Sequence, residues 1–281
     1  IFNNPIPAPA EDFDKTKFGS GYIGKVKNSG IINVYGTANT AMKLYIDAPG
    51  SIAADKKLKY NANVITNAGI INLYGTRNLG MYASDGGDAD VMLPPDYKPT
   101  YFFTMSRVTN NGTINVDQTN SVGIFAQNKG TANTRSVVKN TKIINVSKEG
   151  SAGILGDKST ITNSGAGTKD GIVLTANKTV GIIGNNGSEV SNTGRIETKT
   201  ATPSGSSEGL VGISLNASTG TNSGDIILGT AHSTGMNGVA SSTVINAKNI
   251  TGNKENIVFL PDVFSNRYPA RSANYRTRYR L

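Results

Sequence analysis

The seven residues NSGIINV at 28–34 return as NAGIINL at 67–73, NNGTINV at 110–116 and NTKIINV at 140–146. A fixed period of this kind outranks local propensity as a guide to the fold. The anchor asparagines are Asn28, Asn67, Asn110, Asn140, Asn163, Asn192, Asn222 and Asn246, at spacings of 39, 43, 30, 23, 29, 30 and 24 residues. The basal unit is therefore 23–30 residues long, with two enlarged units near the start. Glycine stands two places after the anchor at Gly30, Gly69, Gly112, Gly165, Gly194 and Gly224, and lysine replaces it at Lys142 and Lys248. A glycine recurring there reads as a backbone bend with positive φ.

Past the bend, apolar residues alternate with polar ones, the period of a half-buried strand. Ile32, Ile71, Ile114, Ile144, Ile196 and Ile226 fall on the inward line, and so do Val34, Leu73, Val116, Val146, Thr198 and Leu228. Asn33, Asn72, Asn115, Asn145 and Glu197, lying between them, face water on this reading. In the Asn163 unit the same strand arrives late, as Ile172 and Leu174. A second strand is spelled LGMYA (79–83), VGIFA (122–126), AGILG (152–156), VGIIG (180–184) and VGISL (211–215). A third precedes the next anchor, with Val64, Val108, Val138, Ile161, Val190 and Val244 near its centre.

Three short strands in so few residues cannot close hairpin ladders within one unit. Each pairs instead with its counterpart in the next unit, parallel and in register. The fold class is all-β, a right-handed parallel β-helix of about seven or eight rungs, each rung adding about 4.8 Å. Stacking accounts for the spelling, because an anchor asparagine at a corner bonds the asparagines above and below only if every rung repeats it. We divide the chain into a lead-in at 1–27, the repeats at 28–256 with insertions at 47–63 and 84–107, and an Arg/Tyr-rich segment at 257–281.

Composition agrees. Glycine is frequent at 33 residues, tryptophan and cysteine are absent, and 37% of residues are apolar, which suits strands and turns and excludes disulfides and thiolate chemistry. The sequence carries no signal peptide and no apolar run of membrane-spanning length, and we read it as a piece of a longer chain. Of the net charge of +9, about half comes from Arg267, Arg271, Arg276, Arg278 and Arg280. The remaining cations form neither a recognition helix nor a cluster, so no nucleic-acid partner is expected.

The paired motifs N-[ST]-G-x-I-N-[VL] and [SN]-[VL]-G-[IM]-[FY]-A resemble the passenger repeats of large autotransporter (type V secretion) outer-membrane adhesins, in particular the very long ones of fusobacteria. The resemblance covers about residues 28–250. It implies export to the bacterial surface, a rod carried by a C-terminal membrane barrel that is absent from this sequence, and adhesion to a host cell-surface receptor or glycan, or to other bacteria. The enlarged first units and the Arg-rich end depart from the repeat.

On such a rod, recognition is expected where the repeat breaks. The segment 84–107 carries Met92, Leu93, Asp96, Tyr97, Lys98, Tyr101, Phe102 and Phe103, either a lid folded over the rod or a contact patch of aromatic anchors. The segment 47–63 adds Lys56, Lys57 and Tyr60, an exposed basic loop or a rim for an acidic partner. Asp85, Asp88 and Asp90 are loosely spaced like a calcium loop but lack its frame, so no metal site is expected. Tyr82, Phe125, Leu155 and Ile183 are the outward residues of the second strand, and stacked they form an apolar stripe. The stripe lies under the insertion, receives a partner, or joins two rods side by side. The tail NYRTRYRL at 274–281 alternates like an edge strand with one cationic face, a device against further stacking or an anion-binding ladder.

His232, the single histidine, sits in a small-residue turn without an adjacent acid, so no catalytic triad and no cofactor are expected. The outward acids Asp117, Asp157, Glu197 and Asp225 do not share a rung. The reading is an adhesin fragment without chemistry. A self-associating passenger that clumps cells is the alternative, and a polysaccharide-active β-helix enzyme the second.

Overall fold

A computed structural model describes residues 22–46, 61–85, 104–129, 135–165, 167, 170–199, 209–230, 232–248, 250–252 and 257–260. Among these residues every regular element is a strand. The strands form three parallel sheets of eight, and each sheet takes every third strand in chain order. The first sheet runs from Tyr22–Asn28 to Thr243–Asn246, the second from Ile31–Val34 to Ile250–Thr251, and the third from Thr40–Ile46 to Ile257–Leu260. One strand of each sheet makes a turn, and eight turns stack into a parallel β-helix.

The register places isoleucine over isoleucine. Ile32, Ile71, Ile114, Ile144, Ile172, Ile196, Ile226 and Ile250 form one continuous column. From Ile71 to Ile226 they are fully buried in a single apolar core, where each contributes roughly 1.5–3 kcal/mol through removal from water. The late strand of the Asn163 unit takes its expected place, Ile172 beside Ile144 and Leu174 beside Val146.

Volume is conserved where the third sheet turns into the first. Small residues at Gly156, Gly184 and Gly238 face large ones at Ile161, Val190 and Val244, and a β-carbon on any of these glycines would lie 2.5, 2.8 and 2.6 Å from its partner's side chain. In one turn the pair is reversed, with Leu215 facing Gly220.

Polar ladders line all three corners. At the first, Asn28 donates Nδ2–H to Asn67 Oδ1 at 2.8 Å, and the chain continues through Asn110, Asn140, Asn163, Asn192 and Asn222 to Asn246 at 2.6–2.9 Å. All seven bonds point the same way, and the amides also bond nearby carbonyls, as Asn28 does with Gly30. At the second corner the Asn78 amide donates to Ser121 Oγ and the Ser121 amide to Ser151 Oγ, both at 3.1 Å. At the third, Ser159, Ser188 and Ser218 donate backbone N–H to Ser188, Ser218 and Ser242 Oγ at 3.0–3.2 Å. Buried groups that would otherwise be unpaired are satisfied by repetition.

Four features differ from the sequence reading. The conserved spacing of Gly30, Gly69, Gly112, Gly165, Gly194 and Gly224 does not reflect a left-handed bend, since none has a positive φ. The reason is close approach: a β-carbon on Gly69 would lie 2.0 Å from the Gly30 carbonyl oxygen, and one on Gly112 2.1 Å from that of Gly69. Left-handed residues stand instead before the other two corners: Ala38, Arg77, Asn120, Gly150, Lys178, Gly209 and His232 immediately before the second, and Lys158, Gly187, Ala217 and Ser241 immediately before the third. In the first sheet the inward residue is Ile65, aligned with Val26 and Val108, while Val64 pairs with Arg107 on the outer face. Glu197 is buried, clamped between Arg195 at 2.7 Å and Lys199 at 2.8 Å. Finally, the third sheet also includes Thr40–Ile46 and Thr234–Val239, and the coil passes both ends of the 28–256 span, with Tyr22–Asn28 in the first sheet and Ile257–Leu260 in the third.

Candidate recognition surface

The outward residues of the third sheet build one candidate surface. Six of its eight strands carry Gly and then an inward apolar residue, after which the next side chain points out. A β-carbon on Gly123 would meet the Gly153 carbonyl oxygen at 2.7 Å, so the backbones lie close and the outward residue is held in register. Tyr82 pairs with Phe125, Phe125 with Leu155 and Leu155 with Ile183, giving the expected column, about 15 Å long at the rise of a strand pair. All four are half-buried.

The column has a polar head. Tyr82 and Phe125 have ring centroids 5.3 Å apart, and Lys43 Nζ stands 5.7 Å from the Tyr82 centroid, within cation–π range. Gln127 Nε2 donates to Tyr82 Oη at 2.6 Å and to Ser84 Oγ at 3.0 Å, fixing the phenol ring. Beyond Ile183 the column turns polar at Ser214 and Asn237.

Met92, Leu93, Asp96, Tyr97, Lys98, Tyr101, Phe102, Phe103, Lys56, Lys57 and Tyr60 lie outside the described residues, as do Asp88, Asp90 and the arginines of the tail. The strands that bracket these excursions are described. Segment 47–60 follows Thr40–Ile46 and precedes Asn61–Asn67; segment 86–103 follows Leu79–Asp85 and precedes Thr104–Asn110; segment 130–134 falls between Val122–Asn128 and Ser136–Asn140. Each bracket closes a strand of the third sheet and opens one of the first. In three consecutive turns these segments therefore connect strands across the same corner, the one beside the Tyr82–Phe125 end of the apolar column.

The second sheet carries a surface of which the sequence reading placed the outward asparagines but not the bonds between them or the tyrosines beside them. Its outer face holds a second amide ladder, in which Asn72 donates to Asn33, Asn115 to Asn72 and Asn145 to Asn115, each at 2.8 Å. Next to it Tyr35 and Tyr74 stack at 5.2 Å, exposed by 66% and 42%, and Ile31 is exposed by 66%. The available signal was a tyrosine seven places after the anchor in the first two units only.

Among the described residues, groups able to do chemistry are dispersed. His232 is exposed at a left-handed corner, φ 56°. Asp117 accepts from Ser147 Oγ at 2.6 Å, Asp157 from Asn186 at 2.9 Å, and Asp225 pairs with Lys248 at 2.6 Å. Among the described residues no three His, Cys, Asp or Glu side chains gather to hold a metal ion. Comparisons of the chain with protein-family models, with curated proteins and with solved structures found no match.

Proposed function

We propose that this chain is a segment of a bacterial surface adhesin, a passenger of the autotransporter type, in which the β-helix is a spacer and the excursions of its first three turns bind a host cell-surface receptor or glycan. The observation that supports the reading is that three successive segments, 47–60, 86–103 and 130–134, connect strands across one corner next to the Tyr82–Phe125–Leu155–Ile183 column. Neighbouring turns lie about 5 Å apart, so segments leaving at one corner share a single recognition area instead of being scattered around the rod. Aromatic and apolar side chains of 84–107 supply buried contact, and Lys56, Lys57 and Tyr60 supply a polar rim. No cofactor or bond-breaking step enters this reading, and the outer membrane enters only through a barrel elsewhere in the parent protein.

Deletion of 88–104 tests it. Binding of the purified chain to host cells is expected to fall to background while circular dichroism keeps its β signal; undiminished binding would reject these excursions as the site. A second reading, lateral self-association of rods, is favoured by the unbroken register of the apolar column, which a second copy would match rung for rung.

A further inference from the structure

We propose that the outer face of the first sheet in turns one to four is a docking strip for a linear sulfated polysaccharide of the host cell surface. This is a different face from the corner of the excursions, and it rests on the adhesive reading above. The described strand side chains that point outward there form two columns. One holds Lys25 and Arg107, with valines between and after them, and the other holds Lys27 and Lys139, with threonines between them. Four of these eight positions are cationic and none is acidic.

The charge is segregated both around the rod and along it. In turns five to eight the same two columns contain no Lys or Arg and are mainly threonine, with Glu189 as their one acid. On the second sheet the corresponding face of turns one to four is the uncharged amide ladder with its isoleucines, and on the third it is the apolar column headed by Lys43. Lys25, Lys27 and Lys139 are exposed, and no described carboxylate forms an ion pair with any of them. Like charges at these positions repel one another, a cost that a polyanion removes.

The form of the strip selects the ligand class. Lys25 and Arg107 are two turns apart in one column, and Lys27 and Lys139 three turns apart in the other, which places cations about 10 and about 14 Å apart along the axis. A single small anion would meet one exposed, screened charge and gain little. An extended polymer with anionic groups at intervals meets all of them at once, and its second and later contacts are effectively intramolecular. The eight positions of the two columns carry no aromatic ring on which a nucleobase would stack, whereas Thr66 and Thr109 offer hydroxyls to a sugar chain between the charges.

The test uses the full chain and immobilised heparin. The triple variant Lys25→Gln, Lys27→Gln, Lys139→Gln is expected to bind roughly tenfold more weakly at low salt, with its β-type circular dichroism unchanged. Removing the same number of charges from the tail, Arg276→Gln, Arg278→Gln, Arg280→Gln, is expected to change binding by less than about twofold, and binding of the unaltered chain falls as salt rises past about 0.15 M. The inference is overturned if the strip variant binds like the parent or if the tail variant loses as much as the strip variant. Equal binding of desulfated heparin, of duplex DNA or of phosphatidylserine vesicles also overturns it. The deletion of 88–104 shortens the strand Thr104–Asn110 by one residue but keeps every residue of the two columns. Loss of cell binding on that deletion with an unaffected strip variant removes this inference alone, and retained cell binding with a weakened strip variant removes only the assignment to the excursions.

Discussion

Leu215 occupies the space that Gly220 leaves: a β-carbon on Gly220 would stand 2.5 Å from Leu215 Cδ1. At Gly156, Gly184 and Gly238 the pair facing across this corner has the small residue first and the large one second. The exception shows that the core specifies total volume and not the identity of either position. Gly220→Val alone is expected to destabilise the chain by about 1–3 kcal/mol through overpacking, and Leu215→Gly alone by about 2–5 kcal/mol through the cavity it leaves. The double variant recreates the arrangement of Gly184 with Val190 and is expected to recover most of the loss. Urea midpoints of the four proteins measure this coupling, and additive losses would refute it.

The two asparagine ladders differ in burial and so in cost. Asn140 is fully buried and bonds Asn110 on one side and Asn163 on the other. Asn145 is only half-buried, on the outer face. Asn140→Ala leaves a donor and an acceptor without partners in the interior, and about 2–4 kcal/mol is expected to be lost. Asn145→Ala exposes the same groups to water, and less than about 1 kcal/mol is expected. Equal shifts in thermal midpoint for the two variants would contradict the distinction.

Gly112 is required for a contact and not for a dihedral angle. A methyl group there would lie 2.1 Å from the Gly69 carbonyl oxygen, whereas one on Gly30 meets nothing within 4 Å. Gly112→Ala is expected to force the third turn away from the second and cost more than about 2 kcal/mol, while Gly30→Ala is expected to be neutral or slightly stabilising. Hydrogen exchange of the Thr113 amide, which donates to Gly69 at 2.9 Å, reports the separation directly. Unchanged protection in Gly112→Ala would show that the close approach is not limiting.

The apolar column separates adhesion from self-association. Phe125→Ser with Ile183→Ser removes two of its four apolar side chains without touching the core, so stability is expected to change by less than about 1 kcal/mol. If rods associate laterally through this face, sedimentation shows a concentration-dependent dimer in the parent that the variant loses. A parent that remains monomeric across the concentration range rejects that mode.

How much of this was legible in the sequence depends on whether a position repeats in identity or only in role. The isoleucine column and the Asn28–Asn246 ladder repeat in identity, so both could be placed by counting from the anchor. The second corner uses Asn78, Ser121 and Ser151 for one task, and a change of residue type hides a ladder from a search for repeated letters. The strand Thr40–Ile46 has Ala41 where most of its counterparts have glycine, so the repeated motif does not reveal it. Val64 and Ile65 are adjacent apolar residues; the fixed offset of two from the anchor, which Val108 and Val138 obey, selects Ile65. Glu197 occupies an outward position, and its flanking cations cover it, an effect of long side chains that alternation does not encode. Tyr35 and Tyr74 recur once, too seldom to separate a surface stack from chance.

The corner amides all donate in one direction, from each asparagine to the one that follows it along the chain. A finished coil therefore offers the next stretch of polypeptide a template with polarity, and growth by accretion needs only local search because every new strand docks on its predecessor. A chain delivered gradually through a narrow opening would lock each increment as it arrived, turning folding itself into a ratchet against backsliding.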